Sequence, residues 1–238
     1  MSNSPNGARM SILSNSNKVN GKNGLKLNSS LKILTNFKGE EVKNIIICLH
    51  GFGDNAANFS SLANEVNISN VLWIFPQGPK NYPMGFDGAQ WFPLFSDPTA
   101  ERRQSEELVQ QLMYEAASQC QLDLNKVFLL GFSQGAALAI NCGLKSKEKL
   151  AGILALSGFI IQSHVIKNSY AGETIETPML IAHGNQDQVI FPATYYDMLD
   201  CLKDMGVKKI RNKIYNNMGH SISAEEIRDI IKFIEEYR

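Results

Sequence analysis

The sequence predicts an α/β domain in which a mostly parallel central sheet carries helices on both faces. Short apolar runs alternate along the chain with longer amphipathic segments, which is the pattern of strands joined by crossover helices. The runs "NIIICL", "VLWIF", "KVFLL", "AGILAL" and "PMLIA" are also apolar throughout rather than at every second position. Strands of that kind are buried on both faces, as in a parallel sheet between two layers of helices.

Seven strands and five helices are expected in the 238 residues, and 44% hydrophobic content is sufficient for a sizeable core. Pro192 suits the first position of one helix, and Ser223 with Glu226 forms a capping box before another. Two connections, 76–100 and 157–177, are long enough to indicate functional loops. The expected strands are 32–37, 43–49, 71–75, 126–130, 151–156, 178–182 and 209–215, and the expected helices are 55–66, 101–121, 134–147, 192–206 and 223–237.

Charge and cysteine content exclude several classes of protein. Lysine plus arginine and aspartate plus glutamate number 23 each, so neither nucleic-acid binding nor strong attraction to anionic membranes is expected. No apolar run approaches the ~18 residues of a membrane span, so stable membrane insertion is not expected either. The cysteines have no CxxC spacing, which favours reduced thiols in a cytoplasmic protein over a disulfide or metal framework. They are Cys48, Cys120, Cys142 and Cys201.

The first thirty residues differ from the rest of the chain in composition. Residues 1–30 are rich in Ser, Asn and Gly and contain no apolar stretch long enough for a signal-peptide core. This composition predicts a disordered tail. The remaining residues, 31–238, are expected to form a single domain.

A possible nucleophile lies at Ser133, the centre of the G-x-S-x-G sequence from Gly131 to Gly135. The bare pattern is weak, but here a buried strand precedes it and a helix rich in small residues follows it. Strand, tight turn and helix together form a nucleophile elbow, which holds a serine hydroxyl at the tip of the strand. The turn is so tight that a side chain two residues before or after the serine would collide, which explains both glycines.

A serine hydroxyl needs a base to remove its proton, and in an elbow fold the chain order is serine, acid, histidine. Of the histidines after Ser133, His164 falls inside a long connection and His183 ends a strand. His220 follows the last strand and precedes the last helix, which places it beside the elbow. Asp187 is the one carboxylate in "PMLIAHGNQDQVIFP", where the acid belongs. For His183, as for His50 near the first glycine loop, a structural role is favoured over a general-base role.

The sequence "CLHGFGD" places Gly51 and Gly53 between a strand and a helix, the setting of a loop that binds negative charge. A dinucleotide site would require an acidic residue about 20 positions later, and "VLWIFPQGP" has none. The better interpretation is half of an oxyanion hole. One donor would be the N–H of Gln134, the residue after the nucleophile, and the second a backbone N–H in this loop.

The motifs "LHGFGD", "FPQGP", "QWFPL", "GFSQGAAL", "LSGF", "PMLIAHGNQDQV" and "MGHSISAEE" occur in an order that resembles the phospholipase/carboxylesterase family of α/β-hydrolases. This group holds cytosolic carboxylesterases and acyl-protein thioesterases, and the resemblance covers about residues 40–238. It implies Ser133 as nucleophile, Asp187 as acid and His220 as base, with the amides of Phe52 and Gln134 as the oxyanion hole. Three departures are leucine replaced by Phe52, a glycine replaced by Ala136, and one extra residue between Asp187 and Pro192.

The resemblance implies a serine hydrolase that cleaves carboxylic esters or thioesters of small to medium acyl groups, without metal or organic cofactor. An acyl-protein thioesterase, a lysophospholipase and a peptidase are alternatives with the same chemistry, and a ligand-binding protein on a hydrolase scaffold is a non-enzymatic one. The expected partner is a small-molecule ester or an acylated substrate, and a homodimer is left open. Aromatic and aliphatic side chains in the two long loops are candidates for an acyl site, with core packing as an equal alternative. They are Trp91, Phe92, Phe95, Phe159 and Ile160.

Overall fold

The computed structural model describes residues 9–12, 27, 29–85, 87–94, 99–161 and 172–238. Within these ranges eight strands form one sheet and two short strands form a hairpin beside it. The sheet strands are β1 (Arg9–Ile12), β2 (Ile33–Lys38), β3 (Asn44–Leu49), β4 (Val71–Pro76), β7 (Val127–Phe132), β8 (Gly152–Leu156), β9 (Met179–Gly184) and β10 (Ile210–Tyr215), and the hairpin strands are β5 (Lys80–Asn81) and β6 (Ala89–Gln90).

The strand order in the sheet is β1-β2-β4-β3-β7-β8-β9-β10. The pairings from β4 to β10 are parallel, whereas β2 runs antiparallel to both of its neighbours. The mostly parallel sheet predicted from the sequence is therefore confirmed. All seven predicted strands are present, and their ends differ from the prediction by two residues at most. The carboxyl ends of β3, β7, β8, β9 and β10 lie along one edge of the sheet, which is where the candidate residues follow.

Helices cover both faces of the sheet. The helices α3, α4 and α5 pack on one face and α1, α2 and α6 on the other. In addition, Leu124–Lys126 and Gly172–Glu176 form short 3₁₀-helices. The α-helices among the described residues are α1 (Ala56–Phe59), α2 (Leu62–Val66), α3 (Thr99–Cys120), α4 (Gln134–Leu144), α5 (Ala193–Asp204) and α6 (Ala224–Tyr237).

The inner strands explain the unbroken apolar runs in the sequence. In β3, Ile45, Ile47 and Leu49 join the core beneath α3 and α4. Ile46 and Cys48 point the other way, into the core beneath α1, α2 and α6. Each side of the strand is therefore covered, because successive side chains of a strand alternate between the two faces.

The prediction of one helix over 55–66 is wrong, because the structure divides this segment into α1 and α2. Ser60 and Ser61 lie at the break. The Ser60 hydroxyl donates to the carbonyl of Ala57 at 2.6 Å, and the Ser61 hydroxyl donates to the carbonyl of Asn58 at 3.0 Å. Serine hydroxyls that bond to nearby carbonyls offer the backbone an alternative to the helical ladder.

Strand β1 lies within residues 1–30, for which the composition predicts a disordered tail. It pairs antiparallel with β2, from Arg9 opposite Phe37 to Ile12 opposite Leu34. Composition does not reveal such a strand, because the pairing is made by backbone groups of the otherwise open edge of β2. Most of the other residues of this tail lie outside the described ranges, and the division into a tail and one domain remains a proposal.

Helix α6 begins with half of the predicted capping box. The Ser223 hydroxyl accepts a hydrogen bond from the backbone N–H of Glu226 at 3.1 Å. Neither oxygen of the buried Glu226 carboxyl makes a full hydrogen bond to the residues that the structure describes. Burial raises the pKa of this carboxyl to about 8, and the Asp229 carboxylate adds to the rise, while the nearby backbone N–H of Ser223 opposes it. At neutral pH this side chain is therefore mainly protonated in the folded protein.

Replacing Glu226 by glutamine should remove a pH-dependent loss of stability. The folded protein keeps a proton on Glu226 that the unfolded chain releases above the ordinary glutamate pKa, so this residue destabilises the fold increasingly as pH rises from about 4.5 to about 8. Glu226→Gln stays neutral and should show a smaller fall in melting temperature over that interval. The solvent-exposed Glu107 on α3 provides a control, and Glu107→Gln should follow the wild-type curve. An unchanged pH dependence in Glu226→Gln would contradict the prediction.

Candidate active site

Ser133 lies between the last residue of β7 and the first residue of α4, in the conformation of a nucleophile elbow. Its φ of 55° and ψ of −116° are unusual for a residue with a side chain and indicate a strained backbone. The strain is held in place by hydrogen bonds. The Ser133 N–H donates to the carbonyl of Leu156 in β8 at 2.9 Å, and its carbonyl accepts from Ala136 and Ala137 in α4.

The two glycines of the elbow are required by close packing. A Cβ on Gly131 would collide with the carbonyl of Gly135. A Cβ on Gly135 would in turn collide with the carbonyl of Leu49 at the end of β3. The same close approach brings the start of α4 against the end of β3, so the first glycine loop and the elbow are neighbours.

A chain of two hydrogen bonds joins residues from three separate loops. His220, in the loop between β10 and α6, has Nε2 at 3.0 Å from the Ser133 hydroxyl oxygen. Its Nδ1 lies 2.7 Å from Oδ2 of Asp187, in the loop after β9. Since an ionised carboxylate only accepts hydrogen bonds, Nδ1 carries the proton and Nε2 is left to accept one from the serine hydroxyl. The Phe132 ring, with its centroid 4.8 Å from that of His220, packs beside the imidazole.

The acid is oriented by its own loop. The Asp187 side chain is fully buried, and its Oδ1 accepts hydrogen bonds from the backbone N–H groups of Val189 and Ile190, both at 2.9 Å. These two bonds fix the carboxylate so that Oδ2 points at His220. The sequence predicts the acid but not these amide donors, because backbone groups leave no residue-type signal.

The histidines outside this chain have other partners. His50 is fully buried, its Nδ1–H donates to the carbonyl of Gly51 at 2.8 Å, and its Nε2 accepts from the N–H of Gly78 at 2.9 Å. Burial lowers the pKa of His50, which keeps the ring neutral as these two bonds require. His50 therefore supports the first glycine loop, as expected from the sequence. His183 is also buried, and His164 lies outside the described residues.

The loop from Gly51 to Gly53 lies beside the elbow. A Cβ added to Gly51 would be 3.2 Å from the ring of Phe132 and 3.6 Å from Cβ of Ser133. Gly53 has φ of +80°, and its N–H donates to the carbonyl of Ala89 at 2.8 Å, which ties the loop to β6. Gln134 is the first residue of α4. At this position backbone N–H groups have no acceptor within the helix, and the positive end of the helix dipole lies here. Both elements of the expected oxyanion hole thus meet at Ser133.

The side chain of Gln134 has a role that the sequence did not indicate. Its Oε1 accepts from the N–H of Trp91 at 2.9 Å, and its Nε2 donates to the carbonyl of Phe92 at 2.7 Å. The indole N–H of Trp91 donates to the carbonyl of His50, also at 2.9 Å. These bonds fasten the elbow, the segment after β6 and the first glycine loop to one another. No periodicity or motif in the sequence indicates a hydrogen bond between a side chain and a backbone group that is distant along the chain.

The candidate acyl-site residues fall into three groups. Trp91 and Phe92 are buried in the core beneath α3 and α4, which is the packing alternative that the sequence left open. Phe159 and Ile160 are half-buried and pack against the same core. Phe95 lies outside the described residues. A role of these side chains in binding an acyl group stays a prediction.

No group of three His, Cys, Asp or Glu side chains within the described ranges is arranged to hold a metal ion. None of the described helices is long and apolar enough to cross a membrane.

Comparison with known proteins identifies the family. The family model described as phospholipase/carboxylesterase matches residues 33–237. The chain belongs to the phospholipase/carboxylesterase family. It is 30% identical over 225 residues to acyl-protein thioesterase 1 of Candida albicans, and the match covers 87% of this chain and 96% of that protein.

Two solved structures have the same fold. Esterase PE8 is 25% identical, with a TM-score of 0.79 and coverage of 87% of this chain and 99% of the other. SOBER1 of Arabidopsis thaliana is 27% identical, with a TM-score of 0.73 and coverage of 82% and 98%. The fold is therefore that of the α/β-hydrolases, and the protein is a hydrolase of the carboxylic-ester class, as the sequence predicts.

Proposed function

We propose that this hydrolase cleaves carboxylic esters or thioesters of small to medium acyl groups through an acyl-enzyme on Ser133. The observation that carries this proposal is the hydrogen-bond chain from the Ser133 hydroxyl through His220 to Asp187, with distances of 3.0 and 2.7 Å. A nucleophile, a base and an orienting acid in this order are the requirements of nucleophilic acyl transfer.

In the first half of the reaction the Ser133 oxygen attacks the carbonyl carbon of the substrate while His220 Nε2 takes the hydroxyl proton. Asp187 stabilises the imidazolium that forms. The negative charge on the former carbonyl oxygen is bound by the backbone N–H groups of Phe52 and Gln134. When the tetrahedral intermediate collapses, His220 gives its proton to the leaving alcohol or thiol, and the acyl group stays on Ser133.

In the second half a water molecule attacks the acyl-enzyme. His220 removes one proton from this water, and the same two amides bind the new oxyanion. Collapse returns the proton from His220 to the Ser133 oxygen and releases the carboxylic acid. No cofactor takes part in these steps, because the triad supplies both proton transfers and the nucleophile.

A thioester on an acylated protein is the second candidate substrate, and the name of the Candida albicans relative favours it. Lysophospholipids are a third, and they fit the description of the family. The triad does not distinguish these substrates, because each has an acyl carbonyl and a leaving group that His220 can protonate.

We place the protein in the cytoplasm on the basis of Cys48, Cys120, Cys142 and Cys201, which are all free and buried.

A substrate panel tests the proposal. Acyl esters and matched acyl thioesters of graded chain length should be hydrolysed with saturation kinetics, and a serine-directed phosphonate should label one residue, Ser133. The ratio of kcat/KM for ester and thioester of equal chain length then decides between a carboxylesterase and a thioesterase. Binding of these compounds without turnover or labelling would instead support the ligand-binding alternative.

Substitutions at Phe52, in the loop from Gly51 to Gly53, test the proposed oxyanion hole. If Phe52 acts through its backbone N–H, Phe52→Leu should have a mild effect because the amide is retained. Phe52→Pro removes the donor. Loss of one oxyanion-hole donor typically costs about 10²–10³ in kcat, so the proline variant should lose turnover by that factor in assays on the best ester of the panel.

Proline can also distort the loop, so circular dichroism and thermal melting must first show that the Phe52→Pro variant is folded. The leucine variant is the matched control, since it loses the ring contact with Tyr82 but no donor. Near-normal turnover in a folded proline variant would show that this loop is not the oxyanion hole. A leucine variant as slow as the proline variant would assign the role to the side chain.

A further inference from the structure

His183 is a fully buried histidine four residues before the acid, at the end of β9. Its Nε2 lies 2.8 Å from the carbonyl oxygen of Ile190. The same nitrogen lies 3.3 Å from Oδ2 of Asp187, the oxygen that accepts from His220. His183 takes no part in the proton transfers of the proposed reaction.

The partners of His183 fix its protonation state. A carbonyl oxygen only accepts, so Nε2 must carry a proton and donate it to Ile190. Burial lowers the pKa of His183, so the ring is neutral and its contact with Asp187 is not an ion pair. The titratable groups that face the ring are Asp187, His220 and Tyr195 of α5, whose ring centroid is 6.0 Å away. Burial raises the pKa of Tyr195 to about 12, so it brings no charge.

Both backbone polar groups of Ile190 are hydrogen-bonded. Its N–H donates to Oδ1 of Asp187 at 2.9 Å, and its carbonyl accepts from His183 at 2.8 Å. The neighbouring side chains anchor the loop little, since Val189 and Phe191 are both 65% exposed. A loop with exposed side chains needs polar contacts to hold a single conformation.

We infer that His183 is a positioning residue for the acid of the proposed triad. Its Nε2–H holds Ile190, Ile190 holds Oδ1 of Asp187, and Oδ2 is thereby aimed at Nδ1 of His220. The inference rests on the proposed function, because it gives His183 a role only if Asp187 orients His220. His183 does not touch substrate, so its effect should appear in kcat and not in KM.

A double-mutant cycle tests the inference. His183→Leu should lower kcat by about 10–10²-fold with KM unchanged, the cost expected when a catalytic group is misplaced by about 1 Å. In the Asp187→Asn background the same substitution should cost less than about twofold, because the position of residue 187 no longer matters there. An equal loss in both backgrounds would show that His183 has a merely structural role, and no loss in the wild-type background would also overturn the inference.

Two further variants cover the case in which His183→Leu does not fold. The amide N–H of glutamine reaches about as far as Nε2, whereas that of asparagine reaches only as far as Nδ1. His183→Gln should therefore keep most of the wild-type kcat, and His183→Asn should not. Equal rates in these two variants would overturn the inference. Phosphonate labelling of wild-type Ser133 tests the proposed function separately: normal labelling with additive losses in the cycle would reject only the role of His183.

Discussion

Replacing Ser133 by alanine is expected to lower kcat by on the order of 10⁶, the loss seen when the nucleophile of a serine triad is removed. The base and the oxyanion hole remain, but no acyl-enzyme can form, so the residual rate is that of water attacking a bound substrate. Alanine accepts the φ of 55° at this position about as well as serine, and among the described residues the hydroxyl bonds to His220 alone. The variant should therefore fold and melt like the wild type.

The measurement for Ser133→Ala combines kcat with mass spectrometry after phosphonate treatment. Ser157 is a matched control, because it is a fully buried serine with φ of 48° at the end of the adjacent strand β8. None of the residues that the structure describes forms a hydrogen bond with its hydroxyl. Ser157→Ala should stay active and be labelled on Ser133. Stoichiometric labelling of the Ser133→Ala variant would reject Ser133 as the nucleophile.

Asp187→Asn should lower kcat by about 10⁴ while the fold is retained, as in other serine triads. The structure supplies a specific reason. The amide oxygen of asparagine would take the place of Oδ1, where Val189 and Ile190 donate, and the NH₂ group would face Nδ1 of His220. His220 would then accept at Nδ1 and carry its proton on Nε2, which is the tautomer that cannot remove the serine proton.

Kinetic assays of Asp187→Asn should show a loss in kcat with little change in KM, since the acid does not contact substrate. The exposed Asp197 on α5 provides a control, and Asp197→Asn should behave like the wild type. A turnover within tenfold of wild type in Asp187→Asn would contradict the assignment of Asp187 as the acid.

The sheet was predictable from the sequence because its strands are buried on both faces. A run such as "NIIICL" in β3 has no other good explanation in a chain of this composition, and all its residues are buried. The nucleophile elbow was predictable because its two glycines are visible in the sequence. Gly131 is required by its contact with Gly135 within the turn, whereas the contact of Gly135 with Leu49 is seen only in the structure. The chain order of such folds then indicated Asp187 as the acid and His220 as the base, and the resemblance to a family implied the same pair. Their catalytic roles remain predictions.

The features that escaped prediction depend on backbone groups distant in the sequence. Strand β1 and the two-residue strands β5 and β6 are too short for a periodic pattern, and β1 exists by pairing with β2. The bonds of Gln134 to the segment after β6, and of His183 to Ile190, end on backbone N–H or carbonyl groups. The residue type does not indicate which backbone group a side chain will bond to, because nearly all residues have the same backbone groups. The break between α1 and α2 is different, because two adjacent serines do signal it.

The distance along the chain between Ser133 and His220 has a consequence for synthesis of the protein. Their hydrogen bond spans 87 residues, and His220 follows β10, the last strand along the chain. Ser133 therefore emerges from the ribosome well before His220, and the nascent chain carries a serine without an activating partner. The proposed chemistry starts only when β10 docks beside β9. Turnover is thus a reporter of completed tertiary structure, and a half-made chain cannot attack acylated molecules around it.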